Sequence, residues 1–381
     1  MKKKIIIITL AVLAVIVGIV YSIQKKNTDK ETEAIKIGVI MPQTGYLASP
    51  GKNTLNGINL YCEEYNNLSD KKIQILCEDS KSETKTGVSA LNKLIFIDKV
   101  KLVIGDLTSQ TVLAMAPIAE QNKVVLITPG GSSPAVREAG DYIFRIYTSD
   151  DFDGKVMADY LINKRSVKEI ALLHFTNDYG IGLSKSFADA FQEKGGQIPL
   201  TYNYEETATD FRDVILRLKK NAINDVYFIG SPKQDAYFVK QVKELGLNTN
   251  IYGVLSFDDE EFVSSSKNSF DSAIYTTMYF DLNSTEQDVI HFKECYKSKY
   301  DEEPDINAAL GYDVAKILIS ALQNADFGLG KVKDELYKIQ NFKGITGNTS
   351  FDEKGDVNKP VMIKKVTGDG ERTILDVYSL N

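Results

Sequence analysis

The sequence predicts an α/β protein built as two doubly wound parallel-sheet lobes joined by several crossovers. Three observations carry this. From Ile35 onward, short β-branched runs alternate with longer amphipathic stretches, which is the pattern of βα units around a parallel sheet. After an extended run at 142–146 the alternation restarts, an architectural repeat without sequence repetition. No Pro- or Ser-rich linker separates two independent halves, so late segments must return to complete each lobe through short crossovers. A length of 381 residues agrees with two domains of roughly 100 to 200 residues each.

In chain order, the first lobe is expected to take strands at 35–40, 73–77, 102–104 and 124–127, with helices at about 54–66, 84–98 and 109–122 between them. Pro117 interrupts the last helical pattern and is expected to kink it or mark a boundary. The second lobe takes strands at 170–174, 198–202, 226–229 and 251–253, with helices at about 152–163, 180–194, 211–221 and 233–245. An extended run at 273–280 then leads to two helices, at 285–300 and 306–324, and then to the segment 331–339. The chain ends in β-like segments at 348–351, 361–366 and 372–378. The expected division is 34–147 plus about 281–355 for the first lobe and 148–280 plus about 356–381 for the second. Two lobes joined in this way make a hinge around a cleft.

With 43% hydrophobic and 25% charged residues, the composition is that of a folded globular chain. The formal charge is −7, and residues 1–33 are net basic, so the body is more acidic still; an acidic body repels phosphate backbones and argues against a nucleic-acid partner. Lys2, Lys3 and Lys4 precede an uncharged run from 5 to 23, followed by Lys25 and Lys26. At ~1.5 Å per residue this run reaches about 28 Å, close to the ~30 Å hydrocarbon core. Residues 1–33 therefore read as an export signal, either cleaved or retained as an N-terminal membrane anchor, and the body lies outside the cytoplasmic membrane. Three cysteines cannot make a disulfide framework. One bridge is the maximum; Cys62 with Cys77 is the pairing favoured, and buried free thiols are the alternative.

In a doubly wound sheet, ligands bind where the carboxyl ends of strands feed helix N-termini. Gly105-Asp106-Leu107-Thr108-Ser109-Gln110 puts hydroxyls at such a helix start, and Thr128-Pro129-Gly130-Gly131-Ser132-Ser133-Pro134 is expected to expose backbone N–H groups beside hydroxyls. Adjacent strands bring these loops together, and their chemistry suits a small anion, most naturally a carboxylate. Each loop alone also fits ordinary capping and turn chemistry. The segment Tyr147-Thr148-Ser149-Asp150-Asp151 follows the first crossover, where Asp150 would hold an ammonium or cap the next helix. Tyr179 ends a strand of the second lobe and either closes over a ligand or lies on the surface. Catalytic constellations are poor. His174 and His291 read as structural, no spacing suggests metal ligation, and no G-x-S-x-G elbow, P-loop or H-E-x-x-H is present.

An ordered series of motifs runs from Ile35 to Val377: Ile37-Gly38-Val39, Thr44-Gly45, Asn56-Gly57, Val103-Ile104-Gly105 with Ser109, Thr128-Pro129-Gly130, Phe144-Arg145, Ser149-Asp150, Asp178-Tyr179-Gly180, Gly311-Tyr312-Asp313, Gly344-Ile345-Thr346-Gly347 and Gly355-Asp356. In this series the chain resembles the extracytoplasmic solute-binding proteins of the leucine/isoleucine/valine-binding type, the type I periplasmic-binding fold that serves ABC importers. The resemblance implies that Ser109, Gly131 and Ser132 hold a ligand carboxylate, that Asp150 faces or lies near its ammonium, and that Tyr179 covers it. Three departures stand out. Ser82 and Thr108 replace the family's first-lobe cysteine pair. Leu255 stands at the place of the second-lobe Glu that grips the ammonium, with Asp258 and Asp259 close by. No aromatic stands around Ser231-Pro232-Lys233. As contacts made only on closure, Tyr179 and the Ser231 or Asp258 region are the expected specificity side.

The function so implied is capture of a small amino acid or related carboxylate by lobe closure and its delivery to ABC permease subunits, without enzymatic activity, cofactor or metal. A membrane-tethered sensor of amino acids or amides is the alternative, and an exported hydrolase is a third class supported only by the α/β pattern.

Overall fold

A computed structural model describes residues 34–379. The export or anchor segment lies outside the described residues, and no described helix is long and apolar enough to cross a membrane. The first sheet contains β1 (Ile35–Met41), β2 (Ile73–Asp79), β3 (Leu102–Gly105), β4 (Val125–Thr128) and β5 (Ile143–Arg145), in the order β2-β1-β3-β4-β5, all parallel. Its helices are α1 (Ala48–Leu68), α2 (Thr84–Phe96) and α3 (Ser109–Asn122).

Alternation along the strands decides which face meets which helix. Ile37, Val39, Leu102 and Ile104 point into the core beneath α1, whereas Ile40, Val103 and Leu126 point to the opposite face against α2 and α3. Both faces are covered, which is why these strands read as nearly unbroken apolar runs.

The second sheet contains β6 (Glu169–Phe175), β7 (Gln197–Tyr204), β8 (Asp225–Ile229), β9 (Asn250–Gly253), β10 (Ser272–Met278), β11 (Val361–Thr367) and β12 (Arg372–Tyr378), in the order β12-β11-β10-β9-β8-β6-β7. It is parallel from β7 to β10 and antiparallel at its β11–β12 edge. A short hairpin joins β11 to β12, and a turn of that length permits only antiparallel pairing. Its helices are α4 (Asp150–Asn163), α5 (Asp178–Glu193), α6 (Arg212–Lys220), α7 (Pro232–Glu244) and the short α8 (Glu260–Ser266).

Between β10 and β11 in sequence, α9 (Gln287–Tyr300), α10 (Ile306–Asn324) and α11 (Val332–Tyr337) return to the first lobe. Helix α10 crosses α1 at very close range. A Cβ on Gly57 would stand 1.9 Å from the Ala308 carbonyl oxygen, and one on Gly311 2.0 Å from that of Thr54, so only glycine permits this approach.

The chain passes between lobes three times: from β5 to α4, from β10 to α9, and from Phe351 to β11. A buried polar cluster ties these passages together. The Thr148 hydroxyl donates to the Lys359 carbonyl (3.0 Å) and accepts from its N–H (3.2 Å). The Lys359 ammonium donates to Thr346 Oγ1 (2.7 Å) and stands 3.9 Å from the Asp313 carboxylate. Asp313 in turn accepts the N–H groups of Ile345 and Thr346. Burial lowers the Lys359 pKa, with Asp313 opposing.

Several expectations differ from the structure for identifiable reasons. Helix α1 starts at Ala48 because Pro50 falls in the first turn, where a missing N–H leaves no bond unmade. Helix α3 runs through Pro117 because Val112, Met115, Ala116 and Ala119 anchor it on the sheet. The segment at 348–351 makes isolated bridges rather than a strand. Cys62 and Cys77 are both free: Cys62 points into the core from α1, whereas Cys77 is exposed on edge strand β2.

Candidate functional site

Each sheet reverses its strand order once, at β1/β3 in the first lobe and at β6/β8 in the second. Open α/β sheets leave a crevice at such a point. The loops leaving these strands face one another across the lobes and surround a cavity of about 120 Å³. Tyr46, Leu47 and Pro50 follow β1, and Leu107 to Gln110 follow β3. The opposite wall is Asn177 and Tyr179 after β6, Ser231 after β8, and Val254 to Ser256 with Asp259 after β9.

The first-lobe wall is a set of neutral donors. Thr108 is the N-cap of α3 but makes no capping bond, because its hydroxyl is engaged with Asp106 and Thr111. The first N–H groups of α3 therefore stay available at the positive end of the helix. Ser109 Oγ accepts the Ser133 N–H (3.0 Å), which leaves the hydroxyl proton free to donate. Ser132 lines the cavity beside it.

Arg145 shapes that loop. It is buried, forms a two-bond pair with Asp356 (Nε–Oδ1 and Nη2–Oδ2, both 2.6 Å), and points Nη1 at the carbonyls of Gly131, Ser132 and Ser133 (3.2, 2.9 and 2.9 Å). Three carbonyls gathered on one guanidinium turn the loop's acceptors away from the cavity that Ser132 lines. Sequence reasoning noted the Phe144-Arg145 pair without giving the arginine this role; Asp356, its partner, lies 211 positions away.

Among the expected site residues, Ser109, Ser132, Tyr179 and Ser231 line the cavity, while Gly131, Asp150 and Asp258 do not. The N–H groups of Gly130 and Gly131, expected to be free, are both taken by Thr128 Oγ1 (3.0 and 2.9 Å). Asp150 is fully buried behind the wall and gives its N–H to the Ser132 carbonyl. Burial and the neighbouring Asp153 carboxylate hold its pKa well above the usual range. The nearby Ser132 hydroxyl offsets part of this, although neither Asp150 oxygen meets hydrogen-bond geometry.

Asp258 is pinned inside the second lobe by the Tyr275 hydroxyl (2.6 Å) and the Lys364 ammonium (2.8 Å). The next residue, Asp259, is the one that lines the cavity. The difference is set locally: Asp258 ends a turn packed on β10 and β11, whereas Asp259 is the N-cap of α8, its oxygen accepting the Glu261 N–H (2.7 Å). Its carboxylate also accepts the Ser49 hydroxyl across the cleft (2.9 Å). Burial, then the Asp305 carboxylate, pushes its pKa up to about 7.

Further contacts bridge the lobes. Gln110 Nε2 donates to Glu206 (3.2 Å), the Lys233 ammonium to the Gly45 carbonyl (3.4 Å), and the Tyr46 and Phe175 rings meet edge-on at 6.0 Å. The lining contains no Lys or Arg among the described residues. Its apolar parts are Leu47, Leu107, Phe175, Val254 and Leu255, and Tyr147 and the Asn307 amide also line it.

Two lobes with a small cavity between them, lined from both, make the architecture of a two-lobed solute-binding protein. Comparison with known proteins agrees: residues 34–371 match the periplasmic binding protein family, and the chain belongs to it. It is 24% identical over 330 residues, 85% of this chain and 87% of the relative, to the leucine-, isoleucine-, valine-, threonine- and alanine-binding protein of Pseudomonas aeruginosa. Among solved structures, it resembles a leucine-binding protein of Thermotoga maritima (29% identity, TM-score 0.86, covering 91% of this chain and 99% of that one). It also resembles the branched-chain amino acid transporter substrate-binding protein of Streptococcus pneumoniae in complex with isoleucine (27%, 0.84, 91% and 99%). Periplasmic binding proteins are extracytoplasmic, and the role of this family is solute binding.

Proposed function

We propose that this protein captures a small zwitterionic amino acid with an aliphatic side chain, closes its lobes over it, and presents it to the permease subunits of an ABC importer. The observation that carries the proposal is the cavity lining: neutral hydroxyl and N–H donors at the α3 N-terminus, apolar walls, and one carboxylate, Asp259, on the facing lobe. The ligand carboxylate takes Ser109, Ser132 and the free N–H groups of α3. Its ammonium takes Asp259, which stands in for the acidic side chain absent at Leu255. The side chain lies against Leu107, Tyr179, Val254 and Leu255, and full burial of a Leu-sized group contributes about 1.5 to 3 kcal/mol.

Capture begins on the first lobe. The contacts that exist only after closure, those of Tyr179, Ser231 and Asp259, give the ligand its preference for the closed state. The three passages between lobes act as the hinge, and the segment before residue 34 serves export or anchoring. The protein performs no chemistry on the solute.

The test is a thermal-shift and calorimetric screen of L-leucine, L-isoleucine and L-alanine beside leucine amide, 4-methylpentanoic acid and isoamylamine. Saturable binding of amino acids, with loss when either charged group is deleted, supports the assignment. Equal binding of 4-methylpentanoic acid would remove the ammonium from it, and no response to any amino acid would overturn it.

A further inference from the structure

Glu64 near the end of α1, and His291 and Cys295 on α9, form a cluster that the solute cleft does not use. At ~1.5 Å rise per residue, Glu64 lies roughly 20 Å along α1 from the cavity-lining Pro50. We propose that these three side chains form a binding site for a divalent transition metal ion, Zn²⁺ by chemistry, with one coordination position open to water.

The geometry comes first. His291 and Cys295 are four residues apart, so they share one face of α9. The Cys295 sulfur is 3.7 Å from His291 Nδ1 and 3.8 Å from Nε2, and His291 Nε2 is 3.1 Å from Glu64 Oε1. One ligand atom from each residue lies within 4.8 Å of the other two. Tetrahedral zinc bonds of ~2.0 to 2.3 Å imply edges of about 3.4 Å between nitrogen and oxygen and about 3.6 Å between nitrogen and sulfur. The His291–Glu64 and His291–Cys295 separations differ from those edges by a few tenths of an ångström, and rotamer adjustment is needed to draw in the Glu64–Cys295 edge, which lies within 4.8 Å.

The surroundings fit a ligand set as well. The Tyr312 hydroxyl donates to Glu64 Oε2 (2.7 Å), which fixes that carboxylate and leaves Oε1 directed at the histidine, the kind of outer support that ligating carboxylates have. The His291 side chain is 58% exposed, so an ion has a path in and the fourth position faces solvent. Imidazole, thiolate and carboxylate on a flexible three-point face select a borderline ion over the hard Ca²⁺ or Mg²⁺, which prefer all-oxygen sets. On binding, the Cys295 thiol releases its proton to solvent and the imidazole binds in its neutral form, so affinity rises with pH. The ion then links α1 to α9 within the first lobe.

The experiment uses the purified, chelator-treated protein. Titration with Zn²⁺ is followed by calorimetry, and titration with Co²⁺ by absorbance, where thiolate ligation gives a near-ultraviolet charge-transfer band and tetrahedral geometry gives visible bands. The expected result is saturation at one ion per chain with both signatures. His291→Ala and Cys295→Ser should each weaken Zn²⁺ about tenfold or more, and Cys295→Ser should abolish the charge-transfer band. Glu64→Gln should weaken binding while retaining that band. Solute binding serves as the folding control, because the cluster lies away from the cleft. Binding without a fixed stoichiometry, or a parent-like affinity in the three variants, would overturn the site.

Discussion

Ser109→Ala and Ser132→Ala separate two roles that adjacent hydroxyls play in one wall. Ser109 is 1% exposed and its oxygen is the acceptor for the Ser133 N–H. Its removal strands a buried donor and costs about 1 to 3 kcal/mol of stability, in addition to the hydrogen bond it gives a ligand. Ser132 makes its structural bonds through its backbone carbonyl, to Arg145 and to the Asp150 N–H, and these survive substitution. Ser132→Ala should therefore cost less stability than Ser109→Ala, because no backbone donor is stranded. Each variant should lose about 1 to 3 kcal/mol of affinity for the amino acid that binds best, roughly a 5- to 150-fold rise in Kd. Calorimetry reads affinity and urea unfolding reads stability, with far-ultraviolet circular dichroism as the probe because the chain has no Trp. Unchanged affinity in both variants would take the carboxylate off these loops. Equal destabilisation of both would refute the division of labour.

Other consequences follow from the same geometry. Asp259 keeps its proton to about pH 7 in the folded protein against ~3.9 in the unfolded chain. Its burial therefore costs nothing below about pH 4, lowers stability progressively as pH rises to about 7, and Asp259→Asn should flatten that part of the pH–stability curve. An ammonium seated on Asp259 requires the ionised form, so amino-acid affinity should rise with pH up to about 7 with net proton release. Calorimetry in buffers of different ionisation enthalpy measures this, and a pH-independent affinity would separate Asp259 from the ligand. Arg145→Met removes the two-bond partner of Asp356, leaving it only the longer approach of Arg137 (3.6 Å), and frees three carbonyls, and should cost about 3 to 5 kcal/mol in urea unfolding; a loss below 1 kcal/mol would contradict the pair's positioning role. Tyr179→Ala removes an aromatic wall from the second lobe. It should weaken binding with little change in stability, checked by calorimetry and thermal melting. A thiol assay in denaturant without reductant should find Cys62, Cys77 and Cys295 all free.

The sequence by itself determined the order of βα units and singled out two first-lobe loops, which the fold brings to the cavity. These were legible because burial on both faces makes a parallel strand a continuous apolar run, and because hydroxyls cluster where helices begin. That local signal singled out the loops that carry Ser109 and Ser132, both of which line the cavity. Only the tertiary structure decided which neighbour of a pair faces inward. Asp258 and Asp259 differ by one position, yet a short turn before α8 sends one into a cage with Lys364 and the other to the cleft. The pairing of Arg145 with Asp356, and the meeting of Glu64 with His291, join residues more than two hundred positions apart. Periodicity and capping act within a turn or two of chain, so contacts made by packing across lobes and helices leave no trace in local sequence.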